Sequence, residues 1–461
     1  MKKQLKYLII AAMVLVVLAG GLIAVNLLSS GEEGTAQEPQ TETQTSTPLF
    51  GFETADITEI EVQNSKGFYT LTKDGDGNVL INGETELPMN SNTLSAAFDA
   101  LAGLSSDKVI KEDLENAADY GLDAPTSVTV RTAGEEKTVK IGADSPTDEG
   151  AYCYVEGESQ LLLSGSTVSY ARDYTFENYI STSIMPALES TETDKLSHIK
   201  ISGSGRSDVL EIVPKTEEEL KGAGELTPFK MVQPIRAALN SDVLSNSLKS
   251  PLLALQPTVA VAARPTAEQL EQFGLNTPTF VLEYQIEGSE NRIVIGGQTG
   301  DGAYYMMKDG TDVVYLVDAS SVSFMSLSHS TLLSSIMYID YIDEMETVEY
   351  IRGDEHYTFS LTGEDDDMQV SSNGKTVDLE GFRTLYQDSI GLMLGGEASD
   401  PGTAEYARIV FTKRDGTVNE LSYHDIDGRR AFCALNGYGY GFVVTSDLNA
   451  VFESAAALLQ S

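Results

Sequence analysis

The stretch Tyr120-Gly121-Leu122-Asp123-Ala124-Pro125-Thr126 returns as Phe273-Gly274-Leu275-Asn276-Thr277-Pro278-Thr279, and this recurrence decides how the chain is read. A short acidic helix, over 112–120 in one copy and 266–273 in the other, is expected to stop at Gly121 or Gly274. Glycine takes the left-handed conformation at such a stop, and Pro125 or Pro278 keeps the helix from resuming. Further along, Val139-Lys140-Ile141-Gly142 is matched by Ile293-Val294-Ile295-Gly296. Gly150-Ala151-Tyr152-Cys153 is matched by Gly302-Ala303-Tyr304-Tyr305, which makes Tyr304 the counterpart of Tyr152. Ser183-Ile184-Met185 returns as Ser335-Ile336-Met337. All four pairs lie in order at offsets of 152–154 residues, the mark of an internal repeat.

A third, divergent copy follows. Arg430-Ala431-Phe432-Cys433 takes the slot of Gly150-Ala151-Tyr152-Cys153, and Asp447 to Phe452 resembles Ser320 to Phe324. The Gly-Leu-x-x-Pro signature is missing, and Asp400-Pro401-Gly402 stands in its place. Each copy opens on alternating apolar and polar residues: Ile57 to Val62, Leu196 to Ile201, and Glu346 to Ile351. That period of two predicts a strand with one buried face. Second strands are expected at Phe68 to Thr72, Val209 to Val213 and Tyr357 to Leu361. Leu94, Ala97, Phe98, Leu101 and Leu104 then share one helical face, with Asn90 to Asn92 as caps; Phe382, Leu385 and Tyr386 do the same in the third copy. A meander of strands reaches Leu163 and Val317, and a last helix is expected over Val168 to Tyr179. The fold class is α+β: three tandem related modules of mostly antiparallel sheet with packed helices, over 50–190, 191–340 and 341–461. The length of 461 residues agrees with about three domains.

The modules follow an amino terminus of another kind. Lys2, Lys3 and Lys6 form a basic tail over residues 1–6. From Tyr7 and Leu8 to Leu28 no residue is charged, and about 20 such residues span a hydrocarbon core of about 30 Å. We read residues 7–28 as one transmembrane helix with its basic flank in the cytoplasm, which places the modules outside the cell membrane. A cleaved signal peptide is the rival reading; it has a shorter apolar core and a small-residue cleavage site that is not evident here. Residues 29–48 are Gly, Glu, Thr, Gln, Ser and Pro with few apolar side chains, and read as a flexible acidic linker. The chain holds 70 acidic against 30 basic residues, a net charge of -40. Such a surface repels phosphate backbones and excludes nucleic acid as a partner.

The opening strand Asp56-Ile57-Thr58-Glu59-Ile60, the Tyr120-Gly121-Leu122-Asp123-x-Pro125 turn, the Ile141-Gly142 step and the Gly150-Ala151-Tyr152 strand resemble an uncharacterised bacterial family, catalogued as domain of unknown function 4340. The resemblance covers the first two copies well and the third poorly. Members often carry a Trp in the strand after the first hairpin, where this chain reads Asn78-Val79-Leu80-Ile81. The resemblance implies an anchored extracytoplasmic protein, often encoded beside gliding-type ABC transporter components, and implies no catalytic residue.

Nothing in the residues points to a catalytic, metal or cofactor site. His198, His329, His356 and His424 are far apart in sequence and read as surface or packing residues. Asp74, Asp76 and Asn78 imitate the start of a calcium loop, but Val79 and Thr85 stand where Gly and Glu are wanted, so a solvated hairpin turn is expected. Glu364 to Asp367 reads as a charged turn, where at most a weak, nonspecific cation site would form. Cys153 and Cys433, at equivalent places in the first and third copies, read as small buried residues. The expected function is a noncatalytic binding or scaffold protein of the bacterial cell envelope, with an ABC transporter or other envelope proteins as partners. Two alternatives stand beside it: a cell-surface carbohydrate or peptidoglycan binder using Tyr152 and Tyr304, and an envelope-polymer hydrolase with an unrecognised carboxylate pair.

Overall fold

The computed structural model describes residues 46–147, 150–165, 168–186, 195–222, 227–363 and 365–460. The anchor residues Tyr7, Leu8 and Leu28 lie outside these. Among the described residues no helix is long and apolar enough to cross a membrane. Residues 48–461 form one compact unit.

The backbone makes three antiparallel sheets of nine strands each, with few helices. Eight strands in each follow one spatial order: fourth, eighth, seventh, sixth, fifth, first, second, third. In the first sheet the first strand is Ile57–Asn64, paired on one side with Gly67–Lys73 and on the other with Thr126–Thr132. The chain runs through strands one to three, then a helix carries it to the fourth strand at the far edge. It returns to pair the fifth strand with the first and meanders back to meet the fourth.

The helix begins identically in all three modules. Asn90 accepts from the Thr93 N–H, Asn240 from Val243 and Asp378 from Gly381, each side chain satisfying an amide that the helix leaves open. The helices are Ser91–Ala102, a stretch from Ser241 to Leu253 with a wider turn over Leu244–Lys249, and Leu379–Ile390. Leu94, Ala97, Phe98 and Leu101 are buried against the first sheet; Phe382, Leu385 and Tyr386 are buried against the third.

A shared irregularity ties the third module to the others. The pairing of first and fifth strands slips by one residue between Ile57 and Glu59, between Leu196 and His198, and between Met345 and Thr347. A bulge at one place in three copies is a built feature of the fold. The third module, divergent in sequence, therefore keeps the full topology.

Two local expectations change. The segment over 112–120 is helical only at Ala117–Tyr120, because Asn116 is left-handed and supplies no cap. Its counterpart Ala267–Gln272 is a full helix, capped reciprocally by Thr266 and Gln269. The closing helix over 168–179 breaks into Ser169–Arg172 and Phe176–Tyr179, with Thr175 starting a new cap.

The first sheet has its own core, built around Ile60, Leu71, Phe98 and Val139. The second and third sheets share one continuous core, which also takes in Leu87 from before the first helix and Ile180 and Ile184 from the end of the first module.

Candidate functional site

The repeat signature is a structural lock. Gly121 and Gly274 adopt φ of 67° and 69°, and the N–H groups of Leu122 and Leu275 donate back to Ala117 and Leu270. Gly142 and Gly296 face these turns: a Cβ on either would lie 2.2 Å from the carbonyl oxygen of Tyr120 or Phe273. Only glycine lets the sixth strand approach so closely. The sixth strand bulges there against the seventh, between Ile141 and Asp144 and between Ile295 and Gln298. In the third module the signature is absent, and the equivalent pairing has no such slip. Leu122 and Leu275 are buried beneath the turns, and Pro125 and Pro278 lie just before the fifth strand.

The pairing of Tyr152 with Tyr304 needs correction. Cys153 lies opposite Ile141, and Met306 opposite Ile295, so the counterpart of Tyr152 is Tyr305. The ring contacts agree: Tyr152 packs on Tyr120 at 4.9 Å, and Tyr305 on Phe273 at 4.4 Å. The hairpin loop closed by Thr299 and Ala303 is one residue shorter than that closed by Ser145 and Gly150, which slides the Gly-Ala-Tyr match by one. One residue in a strand reverses the face, so Tyr304 packs toward the main core instead.

A few polar contacts cross between modules. At the first junction Arg264, just past the fourth strand Val259–Ala263, reaches back to Glu84 at 2.6 Å and Glu86 at 3.1 Å. The hydrogen bonds from Arg264 draw the Glu84 carboxyl down to about 2. Lys308 donates to the Ile184 carbonyl at 2.7 Å and the Tyr284 hydroxyl to the Met185 sulfur at 3.2 Å. The recurring Ser-Ile-Met segment is thus the connector between modules. In the second copy the Ser335 carbonyl accepts from Leu394, and Ile336 bridges to Met393.

At the second junction a buried Arg206 guanidinium donates to the Met325 and Leu327 carbonyls and to Asp208. Asp208 meets His329 Nδ1 at 2.7 Å, and His329 Nε2 meets Glu397 of the third sheet at 3.1 Å. His329 therefore pins two modules together, a role invisible in sequence because its partners lie 121 and 68 residues away. Glu397 lines two adjoining recesses of about 220 and 520 Å³. The larger is walled by Arg236, Ser399, Asp400 and Tyr438. The Arg236 guanidinium lies 3.5 Å from the Tyr438 ring centroid and 3.0 Å from Glu219. Burial alone would raise the Glu219 carboxyl, but hydrogen bonds from Lys230 and Thr216 bring it down to about 2.

The expected hairpin turn at Asp74 is internally satisfied. Asp74 accepts from the backbone of Asp76 and Asn78 and from the Asn78 side chain, closing a hairpin turn. Glu364 is not among the described residues, and no metal-holding cluster occurs among those that are. A groove of about 400 Å³ on the second sheet holds His198, Lys200 and Arg292, each paired with a carboxylate: Glu211, Glu283 and Asp309. Cys153 and Cys433 are buried free thiols, as expected.

A family model, described as a domain of unknown function, DUF4340, matches residues 80–261 and again 246–389, together more than half of the chain. Each match runs from one sheet across a junction into the next. No curated protein and no solved structure matches.

Proposed function

The chain belongs to the DUF4340 family, and from that premise we propose that it is a membrane-anchored, extracytoplasmic, noncatalytic binding or scaffold protein of the cell envelope, an accessory subunit of an ABC-type transport complex. The observation carrying this reading is the repeated junction. The first two modules each hand a closing segment to the next sheet, at Met185 on Tyr284 and at Tyr338 on Phe411, so three sheets become one body. Such a body offers a partner a long surface of strand-borne charged side chains, held in pairs such as Arg131 with Glu59 and Glu61. The basic-then-apolar amino terminus supplies the membrane attachment. Affinity capture of the full chain from solubilised membranes tests the proposal. Permease and ATPase subunits should co-purify in stoichiometric amounts. Recovery of the chain alone, or from the soluble fraction, would overturn it.

A further inference from the structure

We infer that the seam between the second and third sheets is a binding site for a neutral saccharide. The inference rests on this seam alone and stands apart from any transporter role. The two junctions share one plan but are filled differently. In the first, Arg264 closes the space onto Glu84 and Glu86. In the second, Arg236 turns onto Tyr438 and leaves a groove of about 520 Å³. That size suits a small ligand, for which sites run from about 300 to 1,000 Å³ and favour domain interfaces.

The groove's chemistry selects the ligand class. Tyr438 is 54% exposed, with the Arg236 guanidinium stacked 3.5 Å from its ring centroid. Glu219 holds the guanidinium, so the ring is positioned before any ligand arrives. A flat aromatic surface of this kind accepts the C–H face of a sugar ring. Glu397 and Asp400 provide strong acceptors for hydroxyl groups, and Ser399 adds a hydroxyl. Glu397 is oriented by His329, and Asp400 by the Gly402 N–H at 2.8 Å. The carboxylates and the net charge of -40 oppose an anionic ligand, and the stacked ring favours the apolar C–H face of a sugar over a bare cation, the alternative that a spermidine titration tests. Ala398 to Asp400, which line the groove, lie in the segment that replaces the Gly-Leu-x-x-Pro signature in the third module. The third copy departs from the pattern where the groove is built.

The test is titration calorimetry on the full chain in detergent, with malto-, cello- and chito-hexaose as probes. At least one should bind with a Kd on the order of 1 mM or tighter. Tyr438→Ala and Asp400→Asn should each weaken that binding about tenfold or more, without changing the melting temperature. Tyr341→Ala, which removes a more exposed ring outside the groove, should leave it unchanged. Absence of binding by all three probes at about 10 mM would overturn the inference. So would binding that survives both groove variants, or tighter binding of spermidine than of any sugar.

Discussion

Adding one methyl group at Gly142 tests whether the signature turn and the sixth strand are locked together. The new Cβ would lie 2.2 Å from the Tyr120 carbonyl oxygen and 3.0 Å from the Leu122 side chain. That oxygen cannot swing aside as the tip of a side chain would. It belongs to a turn held by Leu122 N–H donating to Ala117 at 3.0 Å and Gly121 N–H donating to Ala118 at 3.2 Å. Overpacking a fitted site costs about 1–3 kcal/mol, and a clash that only backbone movement relieves belongs at the upper end. At roughly 2–4 °C per kcal/mol, Gly142→Ala should lower the melting temperature by roughly 6–12 °C. Gly134→Ala is the control, since nothing lies within 4 Å of its added Cβ; it should stay within about 0.5 kcal/mol of wild type. Gly296→Ala repeats the 2.2 Å clash against Phe273, but in the second sheet, beside the small cluster of Ala262, Leu275, Val294 and Val314. Scanning calorimetry should therefore show the two variants acting on different parts of the transition. A Gly142→Ala protein melting within about 1 °C of wild type would refute the lock.

The first junction should weaken in acid. Arg264 holds the Glu84 carboxyl down from its ordinary 4.5 to about 2. A depressed carboxyl contributes its stabilisation fully above its ordinary value and loses it as pH falls toward the lowered one. Small-angle scattering should show the first module loosening between pH 4.5 and about 2, and Glu84→Gln should show that looser state already at pH 7; identical profiles for both proteins would refute this. The buried thiols should be inert, because burial pushes both Cys153 and Cys433 up to about 12. At pH 8 on the order of one in ten thousand is ionised, so iodoacetamide should label neither until denaturant is added. Rapid labelling of the native protein would contradict their burial.

The opening strands and the capped helices were legible because each carries its pattern within one element. Ile57 to Val62 alternates, and Leu94, Ala97, Phe98 and Leu101 repeat at helical spacing. The fourth strands were not legible. Gly396–Glu397 is two residues long and has no period to read. Ser105–Lys111 is set by pairing with Leu161–Ser164, far along the chain. The Tyr304 alignment failed for a related reason. A string match is blind to a one-residue loop deletion, whereas strand register is fixed by the opposite partner. The seam was beyond reach altogether, since Arg236 and Tyr438 meet only after two modules have folded and docked.

The junctions also explain one position of the repeat that varies. One fifth-strand residue sits opposite Ile60, Ile199 and Val348 in the three sheets. It is Val130 in the first module, Tyr284 in the second and Phe411 in the third. The two aromatics are the ones that receive a closing segment, Met185 on Tyr284 and Tyr338 on Phe411. Their first-strand partners Ile60, Ile199 and Val348 stay aliphatic in all three copies. The fifth-strand residue on which the previous module's closing segment rests is larger where that segment docks. The same logic separates the two seams. Arg264 meets carboxylates and closes one, and Arg236 meets an aromatic ring and keeps the other open. The seams are thus among the places where the copies diverge, and the open one is where a site particular to this chain would lie.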